Sequence, residues 1–293
     1  MATRKNASSS TSKSTAKRAS SARAKASSTT KTRVVTKKTA VKPAVAQTET
    51  TRTRSGLNYG FAKSPLLAAS IAELIGTFIF AGVVLATQGT DIYVFFGLVA
   101  VILSFAAISG AHVNPALTMG AWATKRISGA RALSYFAAQT IGALLALVVM
   151  NAYVSAAPKL NDQAAMFGAQ QAQLFTIPDI PGGKEWLILA AELIGMTIFA
   201  FAFARAGFLK SRLSSAVTIS GGLFVALLVG GFAAKAVTGA VILNPAVAAS
   251  VQAVSWDLWP IMVYVVTPLV GGVIGCALHD LLRSNTATQT ELQ

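Results

Sequence analysis

From Leu66 onward the chain is built of apolar runs about 20 residues long, the length a helix needs to cross ~30 Å of hydrocarbon. Lipid offers no partner for backbone N–H and C=O groups, so such runs must fold as helices or as strands of a closed barrel. Unbroken apolar runs of this length specify helices. The sequence predicts an all-α membrane protein with six spans, at 66–86, 92–109, 131–153, 186–206, 214–234 and 258–282. Small residues such as Gly76, Gly142, Gly195, Gly271 and Gly275 recur within them and allow close helix approach. Residues 154–185, with Pro158, Pro178 and Pro181, form the one long connection.

Only 12% of the residues are charged, against roughly 25% in a soluble domain. The net charge of +15 is concentrated at one end. Of 25 Lys and Arg, 15 lie between Arg4 and Lys63, where Glu49 is the only acid. Residues 1–58 are rich in Ser, Thr, Ala, Lys and Arg and cannot bury enough apolar surface to offset their ordering entropy. They are expected to be a disordered basic tail, in contact with anionic lipid or, alternatively, with nucleic acid. Residues 59–283 form the membrane domain and 284–293 a short C-terminal tail. Placing the basic tail inside puts Lys125, Arg126, Arg131, Arg205, Lys210, Arg212 and Arg283 on the same side, and only Lys159, Lys184 and Lys235 outside. Basic residues favour the cytoplasmic face, so both termini are expected in the cytoplasm of a multi-pass protein of the cell membrane.

The body repeats itself, over about 66–153 and 186–282. Ala72-Glu73-Leu74-Ile75-Gly76 returns as Ala191-Glu192-Leu193-Ile194-Gly195. Ser109-Gly110-Ala111 leads to Asn114-Pro115-Ala116, and Thr238-Gly239-Ala240 leads to Asn244-Pro245-Ala246. Three spans per half reverse the second copy across the membrane, giving an inverted repeat whose solute site belongs near the midplane. Asn is a strong N-cap and Pro suits the first helical position. Each Asn-Pro-Ala therefore announces a helix, over 115–123 and 245–254. Nine or ten residues rise about 14 Å, half a bilayer. Two such half-helices, entering from opposite faces, meet N-terminus to N-terminus. Each N-terminus carries roughly half a positive charge. The pair opposes cations and protons, while the Asn amides can donate to an uncharged solute.

Ser-Gly-Ala-His-Val-Asn-Pro-Ala at 109–116 and the Asn-Pro-Ala at 244–246 resemble the paired signatures of the aquaporin, or major intrinsic protein, family. The resemblance covers about 60–283. It implies six helices plus two re-entrant half-helices, a pore in each subunit and a homotetramer. By position, Asn114 and Asn244 would be the central pore donors, and Glu73 and Glu192 would buttress the re-entrant loops. His112 would either line the pore or pack the loop. The family usually places Arg directly after the second Asn-Pro-Ala, and here that residue is Val247. The remaining filter candidates are Val241 before Asn244, Val94 or Phe96 on the second helix, and Gly231 or Phe232 on the fifth. Lys235 is a candidate to replace the missing cation.

The implied function is a passive channel for water or another small uncharged solute, including one larger than water such as a polyol or ammonia. A secondary transporter would show ion-coupling carboxylates near the site, and only Glu73 and Glu192 are placed there. An enzyme is disfavoured, because no paired-His motif, Gly-x-Ser-x-Gly elbow or carboxylate dyad occurs. Cys276 has no second Cys, and His112 and His279 are the only histidines, so neither a metal nor a cofactor is expected.

Overall fold

A computed structural model describes residues 64–290 of the body. The basic tail expected over 1–58 lies outside the described residues. Every regular element among the described residues is helical: α1 (Pro65–Ala86), α2 (Asp91–Phe105), α3 (Pro115–Ala123), α4 (Gly129–Ala156), α5 (Asp162–Met166), α6 (Glu185–Ala206), α7 (Arg212–Lys235), α8 (Pro245–Ser250), α9 (Leu258–Ile261), a π-helical turn (Met262–Val266) and α10 (Thr267–Thr290). The helix α9, the π turn and α10 run on without a break. They form one of five rods long and apolar enough to cross a bilayer, the others being α1, α4, α6 and α7.

The sixth expected span, 92–109, is shorter than expected. The helix α2 stops at Phe105, and tight turns through Gly110 follow, closed by Ser109 N–H to Phe105 O at 3.1 Å and Gly110 N–H to Ala106 O at 3.1 Å. Gly110, at φ 94°, then turns the chain toward the first Asn-Pro-Ala. The C-terminal helix runs the other way, past the expected boundary at 282 to Thr290, so much of the expected C-terminal tail is helical.

Hydroxyl caps open several helices: Ser64 Oγ accepts from Leu67 N, Ser128 Oγ from Arg131 N, and Ser211 Oγ from Ser214 N. The half-helices share a stop. Lys125, at φ 60°, lets Arg126 N–H reach back to Ala121 O at 2.8 Å, and Gln252, at φ 58°, lets Ala253 N–H reach Ala248 O at 2.9 Å. This left-handed closure consumes carbonyls that the helix end would leave unpaired. It also ends α8 at Ser250 rather than at the expected 254.

The two repeats pack alike and exchange their half-helices. In the first, α1 packs on α4, and in the second α6 packs on α10. Glycine permits both approaches. A Cβ on Gly142 would collide with Leu74 O, and one on Gly271 would lie 3.2 Å from Leu193 O, one residue after Glu73 and Glu192 respectively. Each half-helix lies against the third long helix of the opposite repeat, α3 on α10 and α8 on α4. Side chains from both repeats, including Phe80, Val94, Leu117, Phe199, Leu223 and Val247, share one buried cluster.

Candidate functional site

The centre of the molecule is the meeting of two helix starts. Asn114 and Asn244 adopt extended backbone at φ −156° and −151°, followed by Pro115 and Pro245 at the first helical position. Asn114 Oδ1 accepts from Ala116 N–H at 2.8 Å, and Asn244 Oδ1 accepts from Ala246 N–H at 3.0 Å and Val247 N–H at 3.3 Å. The amide nitrogens cross over. Asn114 Nδ2 donates to Leu243 O at 2.8 Å, and Asn244 Nδ2 donates to Val113 O at 3.0 Å. An amide nitrogen carries two hydrogens, so after this exchange each Asn keeps one donor for a third party.

The exchange depends on the residue before each Asn. Val113 and Leu243 sit at φ 42° and 60°, a left-handed conformation that is uncommon for bulky side chains and an outlier for a β-branched one. Buried carboxylates hold them there. Glu73 Oε1 accepts from His112 N–H at 2.9 Å and Oε2 from Val113 N–H at 2.7 Å. Glu192 accepts from Ile242 N–H and, through both oxygens, from Leu243 N–H at 3.1 and 3.3 Å. Both carboxylates are fully buried. Bonds to these carboxyl oxygens satisfy backbone amides that burial would otherwise leave unpaired.

The sequence reading missed the residues that surround these loops. Gln139 Nε2 donates to Glu73 Oε2 at 2.8 Å and to Thr118 Oγ1 at 2.9 Å, and Thr118 Oγ1 lies 3.1 Å from His112 Nδ1. Tyr135 donates its hydroxyl to Ser109 O at 2.6 Å, and Tyr264 to Ala240 O at 3.3 Å. One signal for the tyrosines lay in the sequence. Each is seven residues before its close-packing glycine, Gly142 or Gly271, so they occupy equivalent places in the two repeats. His112 is buried, with its ring edge-on to Tyr135 and Phe203 at centroid distances of 5.3 and 5.0 Å.

A cavity of about 310 Å³ leads from one face down to Asn244. Val94, Gly231, Val241 and Val247 all line it. The alternatives Phe96 and Phe232 do not: they are 60% and 80% exposed on the outside of the bundle. Their helices place Val94 and Gly231 inward instead, and so the aromatic residues considered for the filter are absent from it. Phe80, Phe199, Leu223 and Leu227 extend the apolar lining. Lys235, Asp91 and Gln88 add polar side chains to the lining. From the 157–184 connection, Phe175 also lines the cavity and lies against Gly89, whose φ of 65° and lack of a Cβ leave room for the ring.

Comparison with known proteins identifies the family and the fold. The sequence profile described as major intrinsic protein matches residues 60–279. Aquaporin Z of Photorhabdus laumondii is 29% identical over 232 residues, covering 77% of this chain and 92% of its own. The glycerol uptake facilitator protein-like 6 of Lactiplantibacillus plantarum is 30% identical over 228 residues, covering 73% of this chain and 97% of its own. Among solved structures, the aquaglyceroporin from Plasmodium falciparum superposes with a TM-score of 0.56 at 19% identity, over 73% of this chain and 96% of that one. With a family profile across most of its length and an aquaporin fold, the chain belongs to the major intrinsic protein family of membrane channels.

Proposed function

We propose that this channel passes water together with small uncharged solutes larger than water, along a path that runs through the cavity and past the paired Asn side chains. The observation that carries the reading is that Val94, Gly231, Val241 and Val247 line the cavity that reaches Asn244. None of these side chains has a hydrogen-bond donor, a charge or an aromatic ring. An Arg at position 247 would occupy volume, donate hydrogen bonds and repel cations, and Val does neither of the last two. Such a mouth lacks the guanidinium that would narrow it and leaves room for a carbon skeleton. The free amide hydrogens of Asn114 and Asn244 then offer donors to a hydroxyl or water oxygen at mid-membrane. The two helix N-termini behind them oppose cations and protons.

In this reading Glu73 and Glu192 act as scaffold. Each holds the strained residue before its Asn, and neither couples transport to an ion. Lys235 lines the same cavity and remains, among the described residues, the one cationic side chain that could stand in for the usual Arg there. The charge distribution supports a membrane orientation with the cavity mouth outward, both termini in the cytoplasm and the basic tail against anionic lipid or nucleic acid. Family membership supports a homotetramer with a pore in each subunit, in the cell membrane. The test is flux into proteoliposomes. Water and glycerol should both enter faster than into empty vesicles, with a low activation energy and no dependence on an ion gradient. Saturable uptake that requires a gradient, without passive flux, would replace the channel by a transporter.

A further inference from the structure

The inverted repeat relates the two ends of the path residue by residue. Val84 lies eleven residues after Glu73, and Phe203 lies eleven after Glu192. Ile242 lies two residues before Asn244, and His112 two before Asn114. Val84 and Ile242 both line the open cavity. Their inverted counterparts, Phe203 and His112, therefore occupy the same two places at the opposite end. There the small aliphatic pair is replaced by two rings, 5.0 Å apart between centroids and at 84° to each other. Edge-to-face contact of this kind is a favourable geometry for aromatic rings. The His112 ring has little freedom to yield, since Thr118 holds Nδ1 at 3.1 Å and Tyr135 packs against it from α4.

Taking the path to be the one proposed above, we infer that Phe203, with the ring of His112, sets the upper size limit for solutes, at the end of the pore opposite the cavity. The apolar cavity lining admits solutes that this second constriction then sorts. His112 adds the only ring nitrogens at that point, and Phe203 adds bulk, so the constriction selects slender solutes that carry hydroxyl groups. Neither residue needs to change protonation for this. A change in the volume of Phe203 alone moves the limit.

The experiment uses the full chain in proteoliposomes, with water, glycerol and the five-carbon polyol ribitol as probes. Wild type should pass water and glycerol and largely exclude ribitol. Phe203→Val, which copies the residue at the open end, should raise the ribitol-to-water permeability ratio by about fivefold, corresponding to about 1 kcal/mol in the barrier. Phe203→Trp should lower glycerol flux relative to water, and Val94→Ala, which enlarges the mouth, should leave ribitol excluded. Should Phe203→Val fail to fold, the drop in the glycerol-to-water ratio with Phe203→Trp decides. Ribitol entry through Val94→Ala but not Phe203→Val would overturn the inference and move the limit to the mouth. A glycerol-to-water ratio unmoved by Phe203→Trp would overturn it as well, as would wild type passing ribitol as freely as glycerol. A wild type that conducts neither water nor glycerol above empty vesicles would instead refute the channel reading on which the inference rests.

Discussion

The two re-entrant loops share one anchoring device and differ in the side chains around it. In both, a buried Glu accepts the N–H groups of the two residues before Asn, and a Tyr hydroxyl ties the loop at its start. Around the first loop a polar chain then continues through Gln139, Thr118 and His112. Around the second, the register of the repeat puts Pro268, Ala248 and Ile242 in those places, and the chain of bonds ends at Glu192. The backbone device is therefore the invariant part, and it carries the Asn pair. The side chains around it are free to make one end polar and aromatic and the other open and apolar. An asymmetric pore can be built on a symmetric fold.

The largest expected effect comes from removing a carboxylate. Glu73→Ala leaves three donors without a partner, on His112, Val113 and Gln139, while Glu192→Ala leaves two, on Ile242 and Leu243. At about 1–3 kcal/mol for each buried orphan, both variants should lose most of their folded yield in detergent, and Glu73→Ala should lose more. Size-exclusion profiles and thermal melts of the two would show the order, and a reversed order would mean that the second loop depends on its carboxylate more than the first. Next come Asn114→Ala and Asn244→Ala. Each removes a cap worth about 1 kcal/mol and orphans a carbonyl of the opposite loop, so the two should reduce stability and water flux to similar extents. Folded variants with full flux would mean the crossed Asn pair is not on the path.

A smaller difference is expected for the tyrosines. Tyr135→Phe should lower thermal stability by about 1 kcal/mol, the usual worth of one hydrogen bond. Tyr264→Phe should lower it by less, because its hydroxyl lies 3.3 Å from Ala240 O against 2.6 Å for Tyr135 and Ser109 O. Equal losses would show that the second loop is tied as tightly as the first.

Much of this site was legible in the sequence because polar residues are rare in it and the repeat displays them twice. Asn114, Asn244, Glu73 and Glu192 stand out against an apolar background, and caps and prolines mark where the half-helices begin. The facing of the long helices was not legible. In lipid the outside of the bundle is as apolar as its inside, so Val94 and Phe96, or Gly231 and Phe232, cannot be told apart by polarity. Packing decides, and it turns both phenylalanines outward. The end of α8 was hidden for a different reason: Gln252 adopts a left-handed conformation that its residue type does not announce. The Gln139–Thr118 link was invisible because it joins residues on separate elements, and nothing in the second repeat mirrors it.

On the proposed function, an apolar, uncharged mouth lets a neutral solute larger than water reach the Asn pair. The most direct test is the ratio of glycerol to water permeability in proteoliposomes of wild type and Val247→Arg. Wild type should conduct both. The Arg variant should lose about tenfold in glycerol flux, equivalent to about 1.4 kcal/mol of added barrier, while water flux falls far less. Wild type that conducts water but holds glycerol at the level of empty vesicles, with no change on Val247→Arg, would contradict the account.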